Sequence, residues 1–289
     1  MRNIFIVIIC LLTIIIGCNS EQIRSDKIKT IVSIPPQEFF VRKIADTLVD
    51  ISVLIPAGQS PETYNPTPQQ MIDIENSDFL FTIGVPFEKH ILNNLYTNSV
   101  KTKIVKTQDG IELLPMIVHD DDHDHGALDT HIWLDPELVK LQAKNIADAL
   151  IEIAPEHEVI FKNNLELFKN ELDSLDTLIR NIIPKEETLR VCVLHPSFGY
   201  FCKAYGLKQI AIEIEGKEPT AKELAGFVKM AVQEKIKTIF IQPQFSDKSA
   251  RVIAESIHGK VETLDPLSSD YFNNLIEMAD KIASSFEEK

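Results

Sequence analysis

Four of the eight histidines in this chain lie in one short acidic stretch, residues 119–136, which reads HDDDHDHGALDTHIWLDP. They are His119, His123, His125 and His131. Imidazole nitrogens and carboxylate oxygens both bind divalent transition metals, so the stretch could form one metal site. It could also be a solvated charge run, or two devices side by side, and its spacing alone leaves these interpretations open.

Eight short β-branched runs alternate with helical patterns along the chain. The strands and helices that they predict would position the potential metal ligands. The runs are KTIVSIPP (29–36), VDISVLIP (49–56), DFLFTIG (78–84), KIVKT (103–107), RVCVLHP (190–196), KQIAIEI (208–214), KTIFIQP (237–243) and KVETLDPL (260–267). Strand and helix alternating at this rhythm predict an α/β fold with parallel sheets that helices cover on both faces. The chain length favours two lobes, each with a mostly parallel four-stranded sheet.

A long amphipathic segment, residues 155–183, separates the two halves. Its apolar residues recur in steps of four and three at Phe161, Leu165, Phe168, Leu172, Leu175, Ile179 and Ile182. This stripe predicts one helix about 43 Å long that packs against both lobes as a rigid connection, with a coiled coil as the weaker alternative. The predicted domains are therefore 28–154, the connecting helix 155–184, and 185–289.

Four potential metal ligands follow predicted strands. Glu62 lies after the second strand, His131 after the fourth, His195 ends the fifth, and Asp265 ends the eighth. Ligands bind parallel α/β sheets beyond the carboxyl ends of the strands, so these side chains could converge between the lobes. Each also has a plainer interpretation: a buried histidine, a turn aspartate, or a glutamate that caps a helix.

Five motifs, in this order, carry a family resemblance: SPETYNPTPQQ, DTHIWLDP, LHPSFGYFCKAYGL, IFIQPQFS and TLDPL. They resemble the metal-specific solute-binding proteins of bacterial zinc and manganese ABC importers, the cluster A-I family. The resemblance covers nearly all of the chain after Cys18. It implies two α/β lobes joined by a rigid helix, with a metal in the cleft bound by Glu62, His131, His195 and Asp265.

The resemblance implies a zinc receptor that serves an ABC permease and its ATPase, with manganese as the alternative metal. Glu62 stands where the family usually has histidine, which makes the site harder and more anionic. Two histidines and two carboxylates are the ligand set of manganese-type relatives. A histidine at position 195, in contrast, is typical of zinc-type relatives. Trp133 is expected to pack beside the site. Gln242 and Gln244 follow the seventh strand and could hydrogen-bond to the metal ligands, although structural roles are the favoured interpretation.

The acidic histidine stretch is then interpreted as two separate parts, a metal-capturing loop and one ligand of the ordered site. Zinc receptors of this family often carry such a loop ahead of HIWLDP, so His119, His123 and His125 are predicted to capture metal loosely in a mobile segment. His131 belongs to the ordered site. Because imidazole suits zinc better than manganese, the loop favours zinc. A charge run without a metal role is the alternative.

The N-terminus, MRNIFIVIICLLTIIIGCNS, has the pattern of an export signal. Its apolar run is too short to span a bilayer comfortably, and IIGC resembles a bacterial lipobox. Residues 1–17 are therefore predicted to be a signal peptide, Cys18 a lipidated first residue, and 18–27 a linker. This places the protein outside the cytoplasmic membrane, held by its lipid; a plain anchor helix is the alternative.

Composition limits the remaining function classes. A formal net charge of −14 argues against nucleic acid as a partner. Separately, the protein is expected to be monomeric. Whether Cys192 and Cys202 form a disulfide is left open. A zinc hydrolase is the rival, with His131, His195 and Asp265 holding the metal and Glu62 as base. No metallohydrolase motif supports it, so the protein is predicted not to be an enzyme; an adhesin with the same site is a third class.

Overall fold

The computed structural model describes residues 27–98, 101–116, 128–186, 189–213 and 220–287. All eight predicted strands form, and the fold class is the predicted one. In the N-terminal lobe the elements are β1 (Ile28–Val32), α1 (Pro35–Ala45), β2 (Val49–Val53), α2 (Pro68–Glu75), β3 (Phe79–Thr82), α3 (Glu88–Asn98), β4 (Lys103–Lys106) and α4 (Pro136–Ile153). The connecting helix is α5 (Glu158–Ile182). The C-terminal lobe contains β5 (Arg190–Val193), α6 (Gly199–Ala204), β6 (Lys208–Ala211), α7 (Ala221–Gln233), β7 (Thr238–Ile241), α8 (Lys248–Ser256), β8 (Lys260–Thr263) and α9 (Tyr271–Glu287).

The two sheets share one topology. Their strand orders are β2-β1-β3-β4 and β6-β5-β7-β8, and every pair of neighbouring strands is parallel. In each lobe the first strand therefore lies inside the sheet, between the second and the third. The chain order reverses beside β1 and β5, and ligands bind α/β sheets at the carboxyl side of such a switch point. His195, two residues after β5, lies at this position in the C-terminal lobe.

Helix α5 connects the lobes through a shared core. It packs against α1 and α4 of the N-terminal lobe and against α9 of the C-terminal lobe. Six of the seven predicted stripe residues are buried, namely Phe161, Leu165, Phe168, Leu172, Leu175 and Ile179. The helix is somewhat shorter than predicted, about 38 Å, because residues Pro155–His157 form a separate 3₁₀ turn after α4 ends. One buried apolar cluster runs through both lobes and α5, which makes the connection stiff.

A buried polar network orders the carboxyl edge of the N-terminal sheet. The Glu88 carboxylate accepts hydrogen bonds from the backbone N–H groups of Ile83 (2.9 Å) and Gly84 (2.8 Å) just after β3. Nearby, Gln37 accepts from the N–H groups of Ser33 and Ile34 after β1. These side chains satisfy backbone donors that the ends of the strands leave unpaired.

Burial raises the pKa of Glu88 from 4.5 to about 7, although hydrogen bonds from Ser33 and from two backbone N–H groups oppose that rise. A raised pKa means that the folded state retains a proton that the unfolded state has lost. Stability due to this group is therefore complete below pH 4.5 and declines as the pH rises through 7. We expect metal-free protein to lose about 2 to 3 kcal/mol through Glu88 between pH 5 and pH 8.

Urea unfolding of metal-free protein and of Glu88→Gln at both pH values measures this loss. The variant cannot ionise at this position, so its stability should fall less over the same interval, by about that amount. Equal pH dependence in the two proteins would show that Glu88 titrates normally.

Candidate metal centre

The structure brings Glu62, His131 and His195 together between the lobes. One ligand atom from each lies within 4.8 Å of those of the other two, and among the described residues this is the one histidine, cysteine and carboxylate cluster of its kind. Glu62 comes from the loop between β2 and α2, His131 precedes α4, and His195 follows β5. The two lobes therefore each contribute an imidazole, and the N-terminal lobe adds a carboxylate.

A short turn holds His131 against the opposite lobe. Residues Ile132–Leu134 form one turn of 3₁₀ helix, and the Asp135 side chain caps the start of α4. Trp133 lies beside the His131 ring, with centroids 5.0 Å apart. Its indole N–H donates to the carbonyl of Pro266 (2.6 Å), while the Tyr271 hydroxyl donates to the carbonyl of Trp133 (2.7 Å). The predicted packing of Trp133 at the site is thus confirmed, and it also connects the lobes.

His195 is fixed through both its backbone and its ring. Its N–H donates to Gln242 Oε1 (3.3 Å), and Gln242 Nε2 donates back to the His195 carbonyl (2.7 Å). Phe245 stacks on the imidazole, with ring centroids 4.5 Å apart. The side chain is 3% exposed, and its Nε2 is buried without a hydrogen-bond partner among the described residues. A buried, unpaired ring nitrogen beside another histidine and a glutamate is suited to binding a metal.

Glu62 does not serve the plainer role of a helix cap. Thr67 caps α2, with its side chain accepting from the Gln70 N–H, and Pro68 occupies the first turn. The Glu62 N–H instead donates to the hydroxyl of Ser60 (3.2 Å) within the Pro-rich loop. This leaves the carboxylate directed to the two histidines.

The structure does not bring Asp265 into the cluster of three. Its Oδ1 accepts hydrogen bonds from Gln244 Nε2 (2.8 Å) and from the Leu267 N–H (3.0 Å). Asp265 lines an adjoining cavity of about 410 Å³, and Gln244 and Leu267 contact both that cavity and the small one at the cluster. Ligation by Asp265 therefore stays a prediction, with Gln244 as its present partner.

The dimensions suit a small ion. Zinc at 2.0–2.1 Å from four tetrahedral ligands requires ligand atoms about 3.4 Å apart, so each pair here must approach by no more than about 1.4 Å. The cavity at the cluster is about 10 Å³, room for roughly one water-sized body. Small movements would thus bring these three ligand atoms to the spacing that zinc requires.

Sequence reasoning missed the two carboxylates that contact the histidines of the cluster. Asp129 lies against Nδ1 of His131 and Glu213 against Nδ1 of His195. Asp129 could have been found from its position two residues before His131. Glu213 could have been found only from the sheet order, because it follows β6, the neighbour of β5.

Four of the residues predicted to be functional are not among those that the structure describes. Cys18, His119, His123 and His125 fall outside the described residues, so lipidation and the capture loop stay predictions.

Cys192 and Cys202 are free and buried, and burial raises the pKa of both thiols, which makes them unreactive. Within the described part of the chain, no helix combines the length and the apolar character needed to cross a bilayer.

Comparison with known proteins identifies the family. Residues 31–285 match ZnuA, the zinc-uptake complex component A, periplasmic. The chain belongs to the ZnuA family. This confirms the resemblance to zinc-uptake solute-binding proteins of the cluster A-I type, and it does not favour the manganese alternative.

Individual relatives agree with the ZnuA assignment. The chain is 28% identical to the high-affinity zinc uptake system protein ZnuA of Bacillus subtilis over 287 residues, which covers 92% of this chain and 88% of the relative. A crystal structure of ZnuA superposes with a TM-score of 0.84 at 38% identity, covering 90% of this chain and 99% of that one. A ZnuA deletion mutant with zinc bound gives 0.83 at 38% identity, covering 90% and 98%. The two-lobed fold with its connecting helix is therefore the ZnuA fold.

Proposed function

We propose that this protein captures zinc outside the cytoplasm and delivers it to an ABC permease powered by an ATPase, acting as a receptor and not as an enzyme. Glu62, His131 and His195 bind the ion, and Asp265 becomes the fourth ligand once Gln244 releases its carboxylate. The convergence of three potential ligands from both lobes carries this proposal, and the ring of one of them, His195, has a buried nitrogen without a hydrogen-bond partner among the described residues.

The stiffness of the molecule determines how the ion is captured. Because α5 shares one core with both lobes, capture proceeds by small movements of the ligand-bearing loops instead of a wide hinge motion. The Glu62 loop is the least buried contributor and is the natural part to move. His119, His123 and His125 would concentrate zinc ahead of the ordered site, and lipidated Cys18 would hold a monomeric receptor at the membrane.

The receptor and hydrolase interpretations differ in the role of Glu62. A hydrolase needs Glu62 to hold a water while the metal keeps an open position. Here one Glu62 carboxylate oxygen lies within 4.8 Å of a ring nitrogen of each histidine, close enough for direct ligation after a small approach.

Competition between zinc and manganese tests the metal preference. Metal-free mature protein is titrated with a fluorescent chelator in the presence of each metal and of both. We expect zinc to outcompete equal manganese, because two imidazole ligands suit zinc better. Glu62→His should widen the preference for zinc by about tenfold, since it replaces a hard oxygen with a third imidazole.

Glu112→His, which places the same new imidazole on an exposed residue, is the matched control and should leave the preference unchanged. Manganese displacing equal zinc from the unmutated protein would overturn zinc as the cargo.

A further inference from the structure

We propose that Asp129 and Glu213 are paired positioning residues that hold the two ligand histidines as Nδ1–H tautomers and thereby determine zinc affinity. The inference rests on the proposed function, because it assigns Nε2 of both rings to the ion. It adds two carboxylates that do not touch the metal but decide which nitrogen of each histidine is available to it.

Asp129 holds His131 by two hydrogen bonds to one oxygen. Its Oδ1 accepts from the His131 backbone N–H (2.9 Å) and lies 2.8 Å from the ring Nδ1. Both side chains are buried, His131 to 4% exposure. A carboxylate oxygen this close to Nδ1 is best matched by an Nδ1–H donor, and in a neutral imidazole with the proton on Nδ1 the lone pair is on Nε2. That leaves Nε2 of His131 for the metal.

The opposite lobe keeps Asp129 in place. A Cβ at Gly199, the first residue of α6, would lie 2.5 Å from Asp129 Oδ2, so only glycine leaves room for this oxygen. The next residue, Tyr200, donates its hydroxyl to the Asp129 carbonyl (3.1 Å) and accepts from the Leu114 N–H (2.9 Å). The orientation of His131 therefore depends on how the two lobes meet.

Glu213 performs the same task for His195 from within the C-terminal lobe. Its Oε2 lies 3.2 Å from Nδ1 of His195, and the residue is 7% exposed. The Glu213 N–H donates to the Leu194 carbonyl (2.8 Å), which fixes the residue beside the end of β5. The other ring nitrogen, Nε2, is buried without a hydrogen-bond partner among the described residues, and Phe245 stacks on the ring.

Asp129 and Glu213 would also affect the preference of the site for zinc over manganese. A carboxylate behind a ligand histidine makes the imidazole a stronger donor. Stronger nitrogen donors favour zinc over manganese, which prefers oxygen ligands. Asp129 and Glu213 would thus offset the hard oxygen that Glu62 introduces.

The tautomers are measured first without any metal. ¹⁵N-edited NMR of histidine-labelled, metal-free protein at about pH 8 should show His131 and His195 with protonated Nδ1 and bare Nε2. Asp129→Ala and Glu213→Ala should each shift the affected ring toward the Nε2–H tautomer. Asp129→Asn and Glu213→Gln retain an accepting oxygen and should restore most of the original tautomer.

Zinc affinity is measured next by chelator competition on the same variants. We expect a loss of about 10- to 100-fold for each alanine variant, and a smaller loss for the amide variants. The zinc-over-manganese ratio should fall in the same order. A purely structural role for the carboxylates would alter thermal stability without moving the tautomers or this ratio.

Gly199→Ala tests the pair without removing a charge. Its methyl group displaces Asp129 Oδ2, so it should reproduce part of the Asp129→Ala effect on His131 and on zinc affinity. Gly226→Ala in α7 adds the same methyl group where nothing lies within 4 Å, and it is the matched control.

If the alanine variants show the same tautomers and the same zinc affinity as the unmutated protein, the inference is wrong, while the proposed function as a zinc receptor still stands. Unmutated protein that shows the expected tautomers but does not bind zinc would overturn the proposed function instead, and with it the role assigned here.

Discussion

Replacing His131 with alanine should lower zinc affinity by about 100-fold or more. A four-ligand zinc site contributes roughly 10–16 kcal/mol, so one ligand accounts for a few kcal/mol, or two to three orders of magnitude in affinity. His131 is nearly fully buried between Asp129, Trp133 and His195, and alanine provides no ligand atom in place of its ring nitrogen. Isothermal titration or chelator competition with mature protein measures the loss.

His90→Ala is the control for this variant. His90 lies exposed on α3, outside the metal cluster, so its loss should leave zinc affinity unchanged. Zinc binding that persists at full strength in His131→Ala would exclude the site between the lobes, whatever the family of the protein.

Replacing Phe168 with alanine should destabilise the protein by about 3 to 5 kcal/mol. Phe168 lies in the middle of α5 and is 1% exposed. Its ring contacts Phe39 and Phe40 of α1 and Phe272 of α9, with centroids about 6 Å apart in each pair. It therefore joins helices of both lobes, and its removal leaves a cavity at their common support.

Thermal or urea unfolding of the metal-free variant measures this loss, and zinc titration of the folded variant measures a second consequence. Because the proposed ligands come from both lobes, a looser junction should also weaken zinc binding by several-fold. Leu167→Ala, one residue earlier and 62% exposed, is the control and should change stability by less than about 1 kcal/mol. Equal losses in the two variants would contradict the bridging role of the Phe168 ring.

Local sequence pattern was sufficient for the fold. The β-branched runs, the helices between them and the three-four stripe of α5 are short-range signals, because burial on a sheet or helix face imposes its period on the sequence. Small errors remained where local geometry is decided by packing, as at Pro155, which begins a 3₁₀ turn instead of α5.

The site was predictable to the extent that ligands follow strands. The sequence placed His195 at the end of a strand and Glu62 and His131 in segments that follow strands, and parallel sheets bring the carboxyl ends of their strands to one edge. It could not show that Asp265 is held by Gln244 and Leu267, because that choice depends on side-chain competition within a few ångströms.

The sequence by itself determined the two α/β lobes, the rigid helix between them and the residue types available as metal ligands, since each of these follows from periodicity or chemistry within a short stretch. Only the tertiary structure decided which carboxylate faces each histidine: Asp129, beside Gly199, lies against Nδ1 of His131, and Glu213, beside β5, lies against Nδ1 of His195. Those contacts join residues far apart along the chain, and the close packing of one lobe against the other sets their distances.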